Sequence, residues 1–274
     1  MMAVKLAFSV VGGSFHSKPP VTILHGLLGS QRNWRPLAGK ISDYLERAVY
    51  ILDARNHGDS PHSKEMSYEH MAQDVVHLWE DHGIRRSVLL GHSMGGKTAM
   101  VTSLLHPDLV EQLVVVDVAP TPYSRALGED SMEKLISVLA SLPLASVKSR
   151  ADADELLKVD ISVKTLRQFL LTNLVFSDRG GTPHWRVNLD IIKASLDQIR
   201  GFPHFKEPFR GPTLFIGGSR SDYISEQQIP EVKRLFPNAV VSYIPGAGHW
   251  PHYDEPAQLL KIVTDFCTKY TLKQ

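Results

Sequence analysis

Short runs of aliphatic and β-branched residues recur along the chain. Between them lie longer stretches in which apolar positions return every three or four residues. The runs at residues 4–11, 21–25, 48–53, 87–91, 112–118, 213–216 and 240–244 are nearly continuous in Val, Ile and Leu. Strands buried on both faces show that pattern. The intervening period is helical. Met71, Val75, Leu78 and Trp79 share one face of a segment that Ser67 can cap and Gly83 can end. Leu259, Leu260, Val263 and Phe266 form the inner face of a closing helix over 256–270, and another helix is expected over 226–236. Strand–helix alternation of this kind predicts an α/β fold whose central, mainly parallel sheet is flanked by helices on both faces.

The alternation breaks between residues 121 and 200. No strand pattern occurs there, and helical patterns cover 132–142, 163–174 and 187–199 instead. The stretch is too long for a loop. It reads as a helical cap over 121–200, inserted into a core made of residues 1–120 and 201–274. No internal repeat or low-complexity tract is visible.

Composition narrows the function classes. The 274 residues suit one α/β domain with an insertion. With 43% hydrophobic and 22% charged residues, the chain can bury a sizeable core and is not mainly disordered. Thirty basic against 29 acidic residues leave a net charge of +1, which gives no electrostatic footing for nucleic acid or an anionic membrane surface. Cys267 is the only cysteine. It excludes an intrachain disulfide and a zinc–cysteine cluster, and suits a reducing compartment. No apolar run approaches the roughly 18 residues that a transmembrane helix needs. The apolar stretch at 6–11 is short and lacks a clean small-residue cleavage site, so it reads as a strand rather than a signal peptide. No arginine-rich presequence is visible.

Gly91-His92-Ser93-Met94-Gly95-Gly96 carries the clearest chemistry. It fits G-x-S-x-G, in which a serine sits on a sharp turn between a strand and a helix. The predicted strand 87–91 precedes it, and a helical pattern starting at Lys97-Thr98-Ala99-Met100 follows. Glycines suit a turn too tight for β-carbons beside the nucleophile.

A serine hydroxyl needs a base. Of 13 histidines, His249 in Pro245-Gly246-Ala247-Gly248-His249-Trp250 follows the last predicted strand and precedes the last helix. That order places the histidine last, after serine and acid. His252 is its near competitor, and His92 should point away from the Ser93 hydroxyl. Two backbone N–H groups are needed to hold a developing oxyanion. Met94, just after the serine, supplies one. Leu27, in His25-Gly26-Leu27-Leu28-Gly29 after the strand 21–25, supplies the other.

These residues together resemble the α/β-hydrolase fold superfamily over nearly the whole chain. The matching segments are His25-Gly26-Leu27-Leu28-Gly29-Ser30, Asp53-Ala54-Arg55-Asn56-His57-Gly58-Asp59-Ser60, the Ser93 turn continued through Lys97-Thr98-Ala99-Met100, Trp185-Arg186-Val187-Asn188-Leu189, and Gly246-Ala247-Gly248-His249-Trp250. Within the superfamily the pattern is similar to that of mitochondrial lipid esterases and of related bacterial esterases. The resemblance implies a diacylglycerol lipase with sn-1 preference in the mitochondrial matrix. It also implies association with the 2-oxoglutarate dehydrogenase complex. Without the resemblance, a cytoplasmic location is the default.

Three carboxylates compete to orient the histidine. Asp222, just after the strand 213–216, is at the usual superfamily position, and position alone favours it slightly. Asp117 ends the run Val114-Val115-Val116, where a lone carboxylate is costly unless paired. Asp190 follows Arg186-Val187-Asn188-Leu189. The resemblance favours Asp117, because the similar esterases carry an aspartate there and a non-acidic residue near Asp222. Similar bacterial proteins also have a serine near Ser221, which is expected to touch the site, as are Gly26 and Leu28 beside the oxyanion position.

The expectation is a serine carboxylic ester hydrolase acting on a lipid ester, built on Ser93, His249 and Asp117, with no metal and no organic cofactor. Other acyl or carbon–carbon hydrolases on the same fold, and a non-catalytic binding or protective partner, are the alternatives. The turn at Asp53–Ser60 is expected to be structural. Lys97 reads as a solvated helix residue. Phe169, Leu170, Leu174, Val175 and Phe176 are candidates for an acyl pocket. With no arginine pair expected nearby, an uncharged substrate is favoured.

Overall fold

The computed structural model describes residues 2–13, 18–123, 131–177 and 181–271. Seven strands form the main sheet: β1 (Phe8–Val11), β2 (Val21–Leu24), β3 (Val49–Leu52), β4 (Ser87–His92), β5 (Val110–Val116), β8 (Thr213–Gly218) and β9 (Ala239–Ile244). Their spatial order is β1-β3-β2-β4-β5-β8-β9. Every neighbouring pair is parallel except β1 and β3. This is an α/β-hydrolase fold. β1 is shorter than the apolar run 4–11 because only residues 8–11 pair with β3. The backbone N–H of Val4 turns instead to the Asp74 carboxylate.

Helices α1 (Arg35–Leu45), α2 (Tyr68–Asp81), α3 (Met94–Leu105), α9 (Ile229–Leu235), α10 (Pro251–Asp254) and α11 (Pro256–Lys269) accompany the sheet. Two apolar clusters enclose it. One joins Val75, Trp79 and Met100 to Leu89, Leu113 and Phe215. The other joins Trp34, Ile41, Val263 and Phe266 to Ile23, Leu90 and Val114. β4 and β5 are buried at every residue, as their unbroken aliphatic runs require. The Ser67 hydroxyl caps α2 by accepting from the N–H of His70. Helix α9 starts only at Ile229, where Pro230 fits the first turn.

The described part of the region between β5 and β8 holds five helices: α4 (Met132–Ser141), α5 (Arg150–Leu157), α6 (Lys164–Leu171), α7 (Leu189–Ala194) and α8 (Leu196–Arg200). Three findings differ from the sequence reading. A two-stranded antiparallel ribbon, β6 (Leu174–Val175) with β7 (His184–Trp185), lies inside a region expected to be purely helical. Two-residue strands leave no periodic trace, and Leu174 therefore belongs to a strand rather than to the end of α6. Helix α5 was not anticipated, because its acidic sequence leaves only Ala153 and Leu157 buried. The pattern over 187–199 divides into α7 and α8 at Ser195.

The insertion helices have their own apolar cluster, in which Ile136, Leu139, Leu157, Leu170 and Ile192 meet Leu28, Met71 and Met94 of the sheet-bearing part. Asn173 adds a direct tie, its side-chain amide donating to the carbonyl of Leu28 at 2.8 Å. No helix among the described residues is long and apolar enough to cross a membrane.

The Arg55–Asp74 pair is fully buried and bidentate, with two bonds of 2.7 Å. Replacing Asp74 by Ala strands a buried guanidinium. We expect it to lower unfolding free energy by about 3–5 kcal/mol, measured by urea denaturation. Removing Glu46 from its exposed pair with Lys18 is expected to leave the urea midpoint unchanged.

Candidate active site

The carboxyl ends of β4, β5 and β8 deliver three segments side by side. His92 of β4 is in register with Val116 of β5, and Val116 with Ile216 of β8. Ser93 and Asp117, the next residues along β4 and β5, therefore emerge on adjacent strands. Each takes a left-handed backbone, with φ of +52° at Ser93 and +51° at Asp117, a conformation that costs a non-glycine residue roughly 1–3 kcal/mol. The ladder holds both. Ser93 N–H donates to Val116 O at 3.0 Å, and Asp117 N–H to Ile216 O at 2.8 Å. The tight turn needs its glycines. A β-carbon on Gly91 would stand 2.1 Å from Gly95 O, and one on Gly95 would stand 2.4 Å from Leu24 O.

His249 reaches this point from the loop after β9. Its Nε2 is 3.1 Å from Ser93 Oγ, and its Nδ1 is 2.7 Å from Asp117 Oδ2. Asp117 is completely buried. Its carboxylate also accepts from Gly218 N–H at 2.9 Å and from the Ser221 hydroxyl at 2.5 Å. Asp222 lines the same cavity, but the carboxylate on His249 is that of Asp117. Asp190 is exposed in the first turn of α7. Ser221 thus touches the site through Asp117. His252 stacks on Trp34 at 4.6 Å, and His92 is bonded to the His249 carbonyl at 2.7 Å.

Opposite Asp117, the 26–29 loop is fixed by two buried histidines. His57 Nε2 accepts from Leu28 N–H at 3.1 Å, and His25 Nε2 accepts from Ala54 N–H at 3.0 Å. Acceptance at Nε2 puts the proton on Nδ1, where each ring faces a backbone carbonyl. Asp53 binds Gln31 twice and Asp59 N–H once, so the turn at Asp53–Ser60 buttresses this loop. With Leu28 left-handed at φ +59° and its N–H committed to His57, the Leu27 N–H is left without a hydrogen bond among the described residues. So is that of Met94, at the head of α3.

A cavity of about 400 Å³ opens over Ser93. Gly26, Leu27, Leu28, Met132, Leu135, Leu166, Phe169, Leu170 and Trp250 give it apolar walls, and Tyr123 and Tyr223 flank the serine. Leu174, Val175 and Phe176 are not in the wall. The β6–β7 ribbon takes up Leu174 and Val175. Two arginines, Arg200 and Arg220, do line the cavity, against the sequence expectation. Arg200 ends α8 and is paired with Glu133, while Arg220 is exposed. Their approach joins segments distant in the chain and leaves no local signal.

Three side chains near Ser93 were not assigned a role by sequence reasoning. Tyr123 Oη is 3.3 Å from Ser93 Oγ. Tyr223 stacks on the His249 ring at 4.0 Å with 21° between planes. Lys97 is not solvated but fully buried, and desolvation lowers its pKa to about 7. Among the described residues no three His, Cys, Asp or Glu side chains converge to hold a metal ion.

The model of the alpha/beta hydrolase family matches residues 23–262. The chain is 43% identical over 264 residues to mouse "sn-1-specific diacylglycerol lipase ABHD11", covering 95% of this chain and 84% of that protein. It is 30% identical over 248 residues to "Esterase YbfF" of Escherichia coli, covering 90% and 92%. The solved structure of a "Marine microorganism esterase" superposes with a TM-score of 0.90 at 38% identity, covering 96% of this chain and all of that one.

Burial drives the pKa values of His57 and His252 down to about 3, and those of His25 and His92 below the ordinary value. An unfolded chain binds protons at these positions below about pH 6.5, while the folded one stays neutral. Their contribution to stability is present above that pH and is lost as pH falls toward the folded values. We expect the urea midpoint to drop steeply below pH 6, each histidine adding up to about 1.4 kcal/mol per pH unit. Equilibrium unfolding from pH 7 to 5 checks this, and His252→Gln should flatten the slope.

Proposed function

This chain belongs to the alpha/beta hydrolase family and is a carboxylic ester hydrolase; from that premise we propose that it cleaves uncharged lipid esters of the diacylglycerol class through an acyl-enzyme on Ser93. The observation that carries the reading is the continuous hydrogen-bonded row from Asp117 through His249 to Ser93, set at the floor of an apolar-walled cavity.

In this reading Ser93 Oγ attacks the ester carbonyl carbon as its proton passes to His249 Nε2. Asp117 holds the imidazole through Nδ1–H and stabilises its charged form. Its other bonds, to Gly218 N–H and the Ser221 hydroxyl, keep the carboxylate aimed at the imidazole. The N–H groups of Leu27 and Met94 receive the oxyanion. The tetrahedral adduct collapses, the C–O bond to the alcohol breaks, and His249 returns the proton to the departing oxygen. Water, activated by the same histidine, then releases the acid and regenerates Ser93.

The apolar part of the wall supports this substrate class. Leu27, Leu28, Leu135, Leu166 and Phe169 favour an acyl chain, and Glu133 neutralises the Arg200 guanidinium. The similarity to the mouse sn-1-specific diacylglycerol lipase supports diacylglycerol and the sn-1 ester. By resemblance we further expect a mitochondrial matrix address and association with the 2-oxoglutarate dehydrogenase complex. Organelle fractionation, and pull-down with wild type and Ser93→Ala, test these two points.

Ser93→Ala and Asp117→Asn are each expected to lower kcat on diacylglycerol by roughly 10⁴-fold with unaltered melting temperature, and Asp222→Asn by only a few-fold. A folded Ser93→Ala that still turns over diacylglycerol and p-nitrophenyl esters of rising chain length overturns the reading.

A further inference from the structure

The ammonium of Lys97 is fully enclosed, and among the described residues no carboxylate faces it. A buried cation is normally paired. This one instead donates to two backbone carbonyls, Arg200 O and Gly201 O, at 2.8 Å each. It also lies 3.9 Å from the centroid of the Tyr123 ring, within cation–π range. Arg200 O additionally accepts from Tyr123 N–H at 3.0 Å. The chain that leaves β5 and the chain that returns after α8 are thus tied at one carbonyl under one ammonium. Lys97 stands one helical turn after Ser93 and donates its own backbone N–H to Ser93 O at 2.9 Å. The knot is therefore referenced to the serine itself, and it ends in the Tyr123 hydroxyl, 3.3 Å from Ser93 Oγ.

With Nδ1–H on Asp117, His249 Nε2 is the acceptor for the serine proton, and the Ser93 Oγ–Tyr123 Oη contact then runs from the tyrosine to the serine. Attack on an ester turns the serine oxygen into part of the adduct, and the tyrosine O–H must find another acceptor. The topology selects it. The Leu27 donor arrives from β2, on one side of β4, and Tyr123 from beyond β5, on the other. Tyr123 packs edge-on against Tyr223 at 5.0 Å, and Tyr223 lies on His249. Tyr123 therefore stands on the His249 side of the serine, where the alcohol departs, across from the N–H groups that receive the oxyanion.

We propose that Tyr123, held by Lys97, donates a hydrogen bond to the alcohol oxygen of the ester as its bond to carbon breaks. Tyr123 keeps its proton, and the proton that frees the alcohol still comes from His249 Nε2. Burial raises the phenol pKa, consistent with a donor that does not ionise. Lys97 is a positioning residue, acting through the ring above it. The inference rests on the ester-hydrolase reading with Ser93 as nucleophile.

A donor to the departing oxygen matters most where that oxygen gathers most charge and least where the leaving group is already stable as an anion. The experiment measures kcat/KM for two esters with the same acyl group, an alkyl (glyceryl) ester and a p-nitrophenyl ester, in wild type and Tyr123→Phe. The expected result is a loss of at least about 10-fold on the alkyl ester and less than about 3-fold on the p-nitrophenyl ester. Lys97→Met, checked for folding by thermal melting, is expected to shift the ratio in the same direction. A merely structural role would lower both substrates alike. Equal losses in Tyr123→Phe overturn the inference and leave the esterase reading intact. A folded wild type that hydrolyses neither ester overturns both.

Discussion

The left-handed turn at Ser93 is the constraint on which the rest of the site depends. An L-residue held at φ +52° does not stay there by its own preference. The backbone of β5 fixes it by accepting the Ser93 N–H. The missing side chains of Gly91 and Gly95 let α3 start within contact of Leu24 and of the strand it left. One consequence is that the N–H of Met94, at the head of α3, is left without a hydrogen bond among the described residues. Another is that the carboxyl ends of β4 and β5 sit in register, bringing Ser93 and Asp117 out together. Asp117 repeats the strained turn one strand over, and the same sheet edge supplies its Gly218 and Ser221 partners.

Around this edge the electrostatics follow from burial. Four histidines pack near the 26–29 loop and the His249 loop. Desolvation keeps all four neutral, and neutrality is what two of them need. Only an imidazole with a free lone pair at Nε2 can accept the N–H of Leu28 or Ala54. These two rings are thus structural acceptors that shape the 26–29 loop, whereas His249, half-buried, lies between the Asp117 carboxylate and the Ser93 hydroxyl. Lys97 is a buried amine whose pKa desolvation also lowers, and it is served by carbonyl oxygens and an aromatic face. It lies where the insertion joins the sheet, so packing of the insertion and alignment of the serine share one anchor.

The insertion completes the site rather than merely covering it. Leu135, Leu166, Phe169 and Leu170 make much of the apolar wall. Asn173 holds Leu28 from above while His57 holds it from below. The loop that presents the Leu27 N–H is therefore fixed by both parts of the chain. The apolar wall and the 26–29 loop thus share contacts with α6 and with Asn173, just before the β6–β7 ribbon.

What could be read from the sequence is what short-range physics encodes. The strand runs, the capped helix after Ser67, the Ser93 turn and the glycine-rich loop at His249 each depend on a few neighbouring residues, so each leaves a local pattern. The α/β architecture followed from their alternation. Tertiary structure decided the rest. Position along the chain favours Asp222 slightly over Asp117, and which of them meets His249 depends on the placing of β5 between β4 and β8. Lys97 has the helix position of a solvated residue, and only the return of residues 200–201 over it makes it buried. Arg200, Tyr123 and Tyr223 come to the cavity from segments far apart in the chain. The two-residue strands β6 and β7 exist only through each other. Contacts between distant segments carry no periodicity of their own, and so these features appear only once the sheet order and the packing of the insertion are known.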